Sequence, residues 1–102
     1  MSKNQDMNQE TLQDIEFSII ILTKNSTGIV NNLVDMILKQ DFTYNYEVIF
    51  MDNSSTDDTV AYLERTPFEH KRILNVKEGE FSHSGTRMRG AREAAGKYVI
   101  FF

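Results

Sequence analysis

At 102 residues the chain has room for one small domain and not for two, and its 40% hydrophobic and 25% charged content is that of a folding chain. The absence of cysteine removes disulfides, thiolate metal sites and thiol nucleophiles. The net charge of -4 is unevenly spread: residues 1–70 carry 4 basic against 12 acidic side chains, whereas residues 71–102 carry 7 against 3, which makes the latter stretch the natural place for an anion.

Residues 1–16 are polar, rich in Asn, Gln and acidic side chains, and lack a sustained apolar period. They are expected to form a disordered or loosely ordered lead-in, with the folded part running from 17 to 102. No basic-then-apolar leader opens the chain, and apolar runs such as Ile19–Leu22 fall far short of the ~20 residues of a membrane-spanning helix. A soluble, cytoplasmic protein is the expectation.

Phe17–Leu22 is a short, β-branched apolar run, which predicts a first strand buried on both faces. Thr23–Gly28 is a polar turn, and beyond it Ile29, Leu33, Met36, Ile37 and Gln40 recur at the spacing of an amphipathic helix. The unit then repeats. Tyr46–Met51 reads as a second buried strand, Asp52–Asp58 as its loop, and Val60, Ala61, Leu63 and Glu64 as a short helix stopped by Pro67. Ser55 and Asp58 have the spacing of a capping box at its start. Arg72–Val76 predicts a third strand. Ser84–Ala95 predicts a helix with Met88, Ala91 and Ala95 on one face and Gly96 ending it, and Tyr98–Phe102 opens a fourth strand.

That alternation predicts an α/β fold, a parallel β-sheet with crossover helices in the order βαβαβαβ. Ligands of such sheets bind at the carboxyl ends of the strands, so the loops beginning at Thr23, Asp52 and Lys77 are expected to line one crevice. A dinucleotide fold would place glycines in its first turn, yet Thr23–Thr27 has none, and no phosphate-cradling G-x-x-x-x-G-K-[ST] loop occurs. Phosphates must therefore be held by other means, for which a divalent ion and basic side chains are the natural substitute. At the second strand's end, Asp52 and Asn53 suit the reading of a base or ribose. They equally suit an Asx-turn that caps the next helix.

Two stretches, Ser18–Asn25 and Val48–Thr59, resemble the family 2 glycosyltransferases of GT-A fold, whose usual pattern is S-V-I-I-P-T-Y-N followed by V-V-D-D-G-S-T-D-x-T. A third stretch, Thr86–Val99, is similar to the family's A-R-N-x-G-x-x-x-A-x-G-E-Y-I segment. The resemblance implies the nucleotide-binding, Rossmann-like half of a glycosyltransferase that takes its sugar from a nucleotide-diphosphate donor. It places Thr23, Lys24 and Asn25 along the base and ribose, Asp52, Asn53 and Ser54 where the base and ribose are read, and Arg87 near the diphosphate. Four departures stand out: Leu22 replaces the usual Pro, Lys24 the Tyr, Asn53 the second Asp and Met88 the Asn. Phe81–Arg87 is similar to the F-x-H-x-x-T-R stretch of rhamnosyltransferase-like members, which use a deoxythymidine-diphosphate sugar, and this brings His83 to the donor diphosphate or sugar. The resemblance further implies a divalent metal, Mg2+ or Mn2+, whose ligands lie past Phe102, as do the catalytic base and the acceptor region. Catalytic residues and metal ligands are therefore not expected in these residues, and the chain alone is expected to be inactive.

The implied partners are the nucleotide sugar and an acceptor glycan or lipid-linked sugar at the inner membrane face. The competing reading is a non-catalytic nucleotide-binding or protein-interaction module. Nucleic-acid binding through Arg87, Arg89, Arg92 and Lys97 is disfavoured by the overall acidity and by the lack of interleaved aromatics. The fourth strand, at a sheet margin, is a candidate homodimer edge.

Overall fold

The computed structural model describes residues 15–40 and 44–102. Residues 1–14 of the expected lead-in lie outside them. Its last two residues belong to the folded body: Ile15 is buried, and the Glu16 N–H donates to the Asn45 carbonyl at 2.9 Å.

Among the described residues the elements follow the predicted order: β1 (Phe17–Thr23), α1 (Thr27–Lys39), β2 (Tyr46–Asp52), α2 (Thr59–Glu64), β3 (Lys71–Asn75), α3 (His83–Glu93) and β4 (Tyr98–Phe101). The strands form one parallel sheet in the order β3-β2-β1-β4, the Rossmann-like α/β arrangement expected. The chain steps outward from β1 to β3 and then returns to the far side of β1. With right-handed crossovers, that reversal puts α1 and α2 on one face and α3 on the other.

The central strands are apolar throughout because both their faces are covered. Ile19, Ile21, Val48 and Phe50 meet Val30, Val34, Ile37 and Leu63 on the α1–α2 face. Ile20, Ile49 and Met51 pack with Val76 on the face of α3, flanked by Leu22 and Phe81. Ile19, Ile20, Ile49 and Phe50 are each at most 1% exposed, and burying each such side chain contributes roughly 2 kcal/mol.

Four local expectations are corrected. The stripe that seats α1 is Val30, Val34 and Ile37, while Ile29 is 76% and Met36 57% exposed. Both sets have helical spacing, and only the position of the sheet selects between them. On α3 the buried residues are Thr86 and Gly90, and Met88 is exposed. A Cβ on Gly90 would stand 2.7 Å from Ile20 Cγ2, so the helix approaches the sheet through its smallest residue. Ser55 and Asp58 form no capping box: the Asp58 side chain makes no capping bond, and Asp57 Oδ1 accepts the Thr59 N–H at 2.9 Å instead. Gly96 does not end α3 in a left-handed conformation; the helix stops at Glu93 with Ala94 extended, and Gly96 lies against the backbone of β1.

Candidate functional site

The reversal of strand order makes the junction of β1 and β4 the switch point, with the helix that follows β1 on one face of the sheet and the helix that leads into β4 on the other. A cleft of about 450 Å³ lies there. Leu22, Thr23 and Lys24 at the end of β1 form its floor, Ile29 and Leu33 of α1 one wall, and Phe81 with His83 the other. Asn53 and Phe102 also line it.

The loops after β1 and β2 are bound into one unit, and Asp52 is its centre. Parallel register sets Thr23 beside Asp52. Thr23 Oγ1 donates to Asp52 Oδ1 at 2.6 Å, the Ser55 N–H to Asp52 Oδ2 at 2.9 Å, and Ser55 Oγ to Asp52 Oδ1 at 2.6 Å. The carboxylate is 1% exposed and satisfied by these donors, as a buried charge must be. The β1 loop is held the same way. The Asn25 N–H donates to Ser55 Oγ at 2.9 Å, while Asn25 Oδ1 accepts the Thr56 and Asp57 N–H groups at 2.8 and 3.2 Å. Ser54 Oγ donates to the Val76 carbonyl at 2.7 Å and so ties the unit to the end of β3. Asn25 and Ser54 adopt left-handed backbone angles, φ 42° and 47°, a conformation that costs a non-glycine residue about 1 kcal/mol. The hydrogen bonds above offset that strain.

The candidate residues thus separate into two groups. Thr23, Asn25, Asp52 and Ser54 spend their side chains on holding loops together. The Asp52 carboxylate therefore has no face toward the cleft, and the Asx-turn reading describes its local role. Lys24, Asn53, His83 and Arg87 are the groups left for a ligand. Lys24 Nζ donates once, to the Asn53 carbonyl at 3.3 Å, and has donors to spare. The Asn53 carboxamide, the His83 imidazole and the Arg87 guanidinium have no hydrogen-bond partner among the described residues. His83 is steadied by an edge contact with the Phe81 ring, centroids 5.2 Å apart. Arg87 is one helical turn beyond His83 on α3, outside the immediate lining. Lys24, Asn53 and His83 are brought together at one cleft, and Arg87 is not among the residues that line it.

Ser55 and Phe81 were not predicted as site residues. Ser55 has the sequence signature of a helix cap, and nothing local to it signals a partner 30 residues away in the β1 loop. Among the described residues no three His, Asp or Glu side chains converge, so a divalent-metal site is not assembled from them. No helix among them is long and apolar enough to cross a membrane.

The rim of the site carries a testable pH dependence. Asp57 is fully exposed, and hydrogen bonds from the Thr59 hydroxyl and N–H hold its carboxyl below the usual carboxylate range. A depressed folded value contributes stability that is present above the unfolded value and is lost as pH falls through the folded one. Asp57→Asn is therefore expected to lower the thermal unfolding midpoint modestly at neutral pH, where that contribution is present, and to flatten the acid limb below roughly pH 4, where variant and wild type converge.

Comparison with known proteins agrees with this fold. The Glycosyl transferase family 2 profile matches residues 18–102. The poly(ribitol-phosphate) β-N-acetylglucosaminyltransferase TarS of Staphylococcus aureus is 32% identical over 91 residues, which cover 85% of this chain and 16% of TarS. The O-antigen chain rhamnosyltransferase RfbN of Salmonella typhimurium is 30% identical over 88 residues, covering 86% of this chain and 27% of RfbN. The crystal structure of S. aureus TarS superposes with a TM-score of 0.77 at 27% identity, over 86% of this chain and 16% of that one. The chain thus spans about a quarter or less of the length of these relatives. With its profile match running from β1 to Phe102, the chain belongs to glycosyl transferase family 2.

Proposed function

We propose that these residues bind the donor of a glycosyltransferase that moves a sugar from a nucleotide-diphosphate carrier to an acceptor hydroxyl. The observation that carries this reading is the cleft at the β1–β4 switch point, lined by Lys24, which has donors to spare, and by the Asn53 and His83 side chains, which have no hydrogen-bond partner among the described residues. In such a transfer the hydroxyl attacks the anomeric carbon, the bond from that carbon to the diphosphate breaks, and negative charge grows on the leaving oxygens. Preorganised cations stabilise that charge. Lys24 and Arg87 supply it here, with His83 as a further donor, while Asn53 offers a carboxamide to the edge of the base. A divalent ion, when bound, would neutralise the diphosphate further. The described residues do not assemble a site for it, and neither the ion nor a base for the hydroxyl proton is assigned to them. In this reading the donor-binding residues hold the nucleotide sugar.

The Phe81–Arg87 stretch and the likeness to RfbN favour a deoxythymidine-diphosphate rhamnose donor and a role in surface polysaccharide synthesis. The acceptor is then a glycan or a lipid-linked sugar, met at the cytoplasmic face of the membrane. β4 stands at the margin of the sheet and pairs with β1 alone among the described strands, and a homodimer through that edge is part of the same proposal.

Titration calorimetry with UDP, dTDP and GDP tests the donor site. At least one is expected to bind, and Lys24→Ala to weaken it about tenfold, the ~1.4 kcal/mol expected of one charge-assisted contact to phosphate. Absence of binding by all three nucleotides at millimolar concentration would remove the donor reading and leave a protein-interaction module in its place.

A further inference from the structure

Glu47 lies at the amino end of β2, the opposite end of the sheet from the cleft, and is only 4% exposed. Its carboxylate joins three elements. Oε2 accepts from Ser18 Oγ of β1 and from the Ala95 N–H just past α3, each at 2.6 Å, while Oε1 faces the Arg72 guanidinium of β3 at 3.4 Å. Ser18 Oγ, itself buried, accepts the Gly96 N–H at 2.8 Å. Arg72 reaches onward to the Glu93 carboxylate at 3.4 Å and to the Glu93 carbonyl at the end of α3. The cluster fastens the carboxyl end of α3 and the chain leading into β4 to three strands at once.

Their other contacts are few and peripheral: Arg89 reaches the Asn75 carbonyl, and Ala94, Val99 and Ile100 pack at the edges of the two cores. α3 buries Thr86 and Gly90 rather than an apolar stripe, and β4 is a four-residue margin strand bonded only to β1 among the described strands. Both lead to the cleft. An 11-residue helix spans about 16 Å, and the far end of α3 carries His83 and Arg87. β4 runs from the cluster toward Phe102, whose N–H donates to the Ile20 carbonyl at 3.0 Å and whose side chain lines the cleft. A buried carboxylate stays only where its partners are complete, so the cluster holds one arrangement rather than a range of them.

We infer that Glu47 is a positioning residue for donor binding: by clamping the α3–β4 connection at the amino end of the sheet, it sets where His83, Arg87 and Phe102 stand at the carboxyl end. The positioning role rests on the cleft being the donor site; the clamp itself does not.

Hydrogen exchange by mass spectrometry and titration with UDP and dTDP, on the wild type and on Glu47→Gln and Arg72→Met, separate the two. Glu47→Gln keeps an acceptor for Ser18 and removes the charge that Arg72 faces. Exchange across 83–102 is expected to rise about tenfold while β1 and β2 stay near wild type, and the dissociation constant of the bound nucleotide to rise about fivefold. Arg72→Met should move the same segments in the same direction by less. A uniform rise across β1 and β2 in both variants reduces Glu47 to a contributor to global stability, and unchanged exchange across 83–102 overturns the clamp. If the wild type binds neither nucleotide, the positioning role falls with the donor reading, and the exchange pattern still decides whether the clamp exists.

Discussion

Asp52→Ala is expected to lower the thermal unfolding midpoint by about 15 °C, or roughly 3 kcal/mol for a domain of this size, and to abolish nucleotide binding. The substitution strands Thr23 Oγ1, the Ser55 N–H and Ser55 Oγ, which all donate to this carboxylate inside the protein. Leaving buried donors unsatisfied costs more than the bonds contribute, because the folded chain keeps the desolvation penalty without the compensation. The loss of binding follows from geometry. Ser55 Oγ also receives the Asn25 N–H, so losing Asp52 loosens the β1 loop on the β2 loop and shifts Lys24 relative to Asn53, although Asn25 Oδ1 still accepts the Thr56 and Asp57 N–H groups. Asp52→Asn, which keeps one acceptor oxygen, is expected to cost about a third as much. Thermal unfolding by circular dichroism reads the first effect and calorimetry with dTDP and UDP the second. A midpoint within about 2 °C of wild type for the alanine variant would show that the two loops are joined without this carboxylate.

Gly96→Ala is expected to destabilise the chain by about 3 kcal/mol, at the upper end of what overpacking costs. A Cβ there would stand 2.7 Å from Ser18 Oγ, 2.8 Å from the Phe17 carbonyl carbon and 2.8 Å from the Ser18 nitrogen. A side chain can turn away from such a contact, but the backbone of a paired strand cannot without breaking its ladder to β2 and β4. The residue is also the one whose N–H reaches Ser18, so the disturbance falls on the margin strand first. Gly28→Ala is the internal control. It lies within α1 with nothing inside 4 Å of the added carbon, and a gain of about 0.5 kcal/mol is expected from helix propensity. Chemical denaturation of the two variants side by side distinguishes a steric effect from a general intolerance of glycine replacement; equal and small changes would refute the close-approach account.

The architecture was legible because it depends on runs of residues. Phe17–Leu22 and Tyr46–Met51 are apolar on both alternating sets, and only a strand covered on two faces needs that. The polar tips that follow them were legible for the same reason, since the end of such a run is the end of a strand. Side-chain assignments within the tips were less so. Asp52 and Asn53 are adjacent carbonyl-bearing residues at the same strand tip, yet one points into the Thr23–Ser55 network and the other lines the cleft. That division is set by the parallel register of Thr23 with Asp52, a pairing between residues 29 apart that no local pattern encodes. Glu47 was passed over likewise: a single charge at the start of a strand reads as solvent-facing until Ser18, Ala95 and Arg72 are found around it.

By itself the amino-acid sequence determined the order of elements, the parallel class of sheet, the loops that meet at its carboxyl end and the kinship with glycosyl transferase family 2, because these follow from periodicity and from short motifs whose spacing survives in one dimension. Only the tertiary structure decided which face of α1 and α3 is buried, which polar side chains at the strand tips are struts and which remain free for a ligand, and that a carboxylate at the far end of the sheet anchors α3 and β4. These depend on contacts between segments distant in the chain, where register, close approach and the need to satisfy every buried charge select one neighbour among several that the local pattern allows.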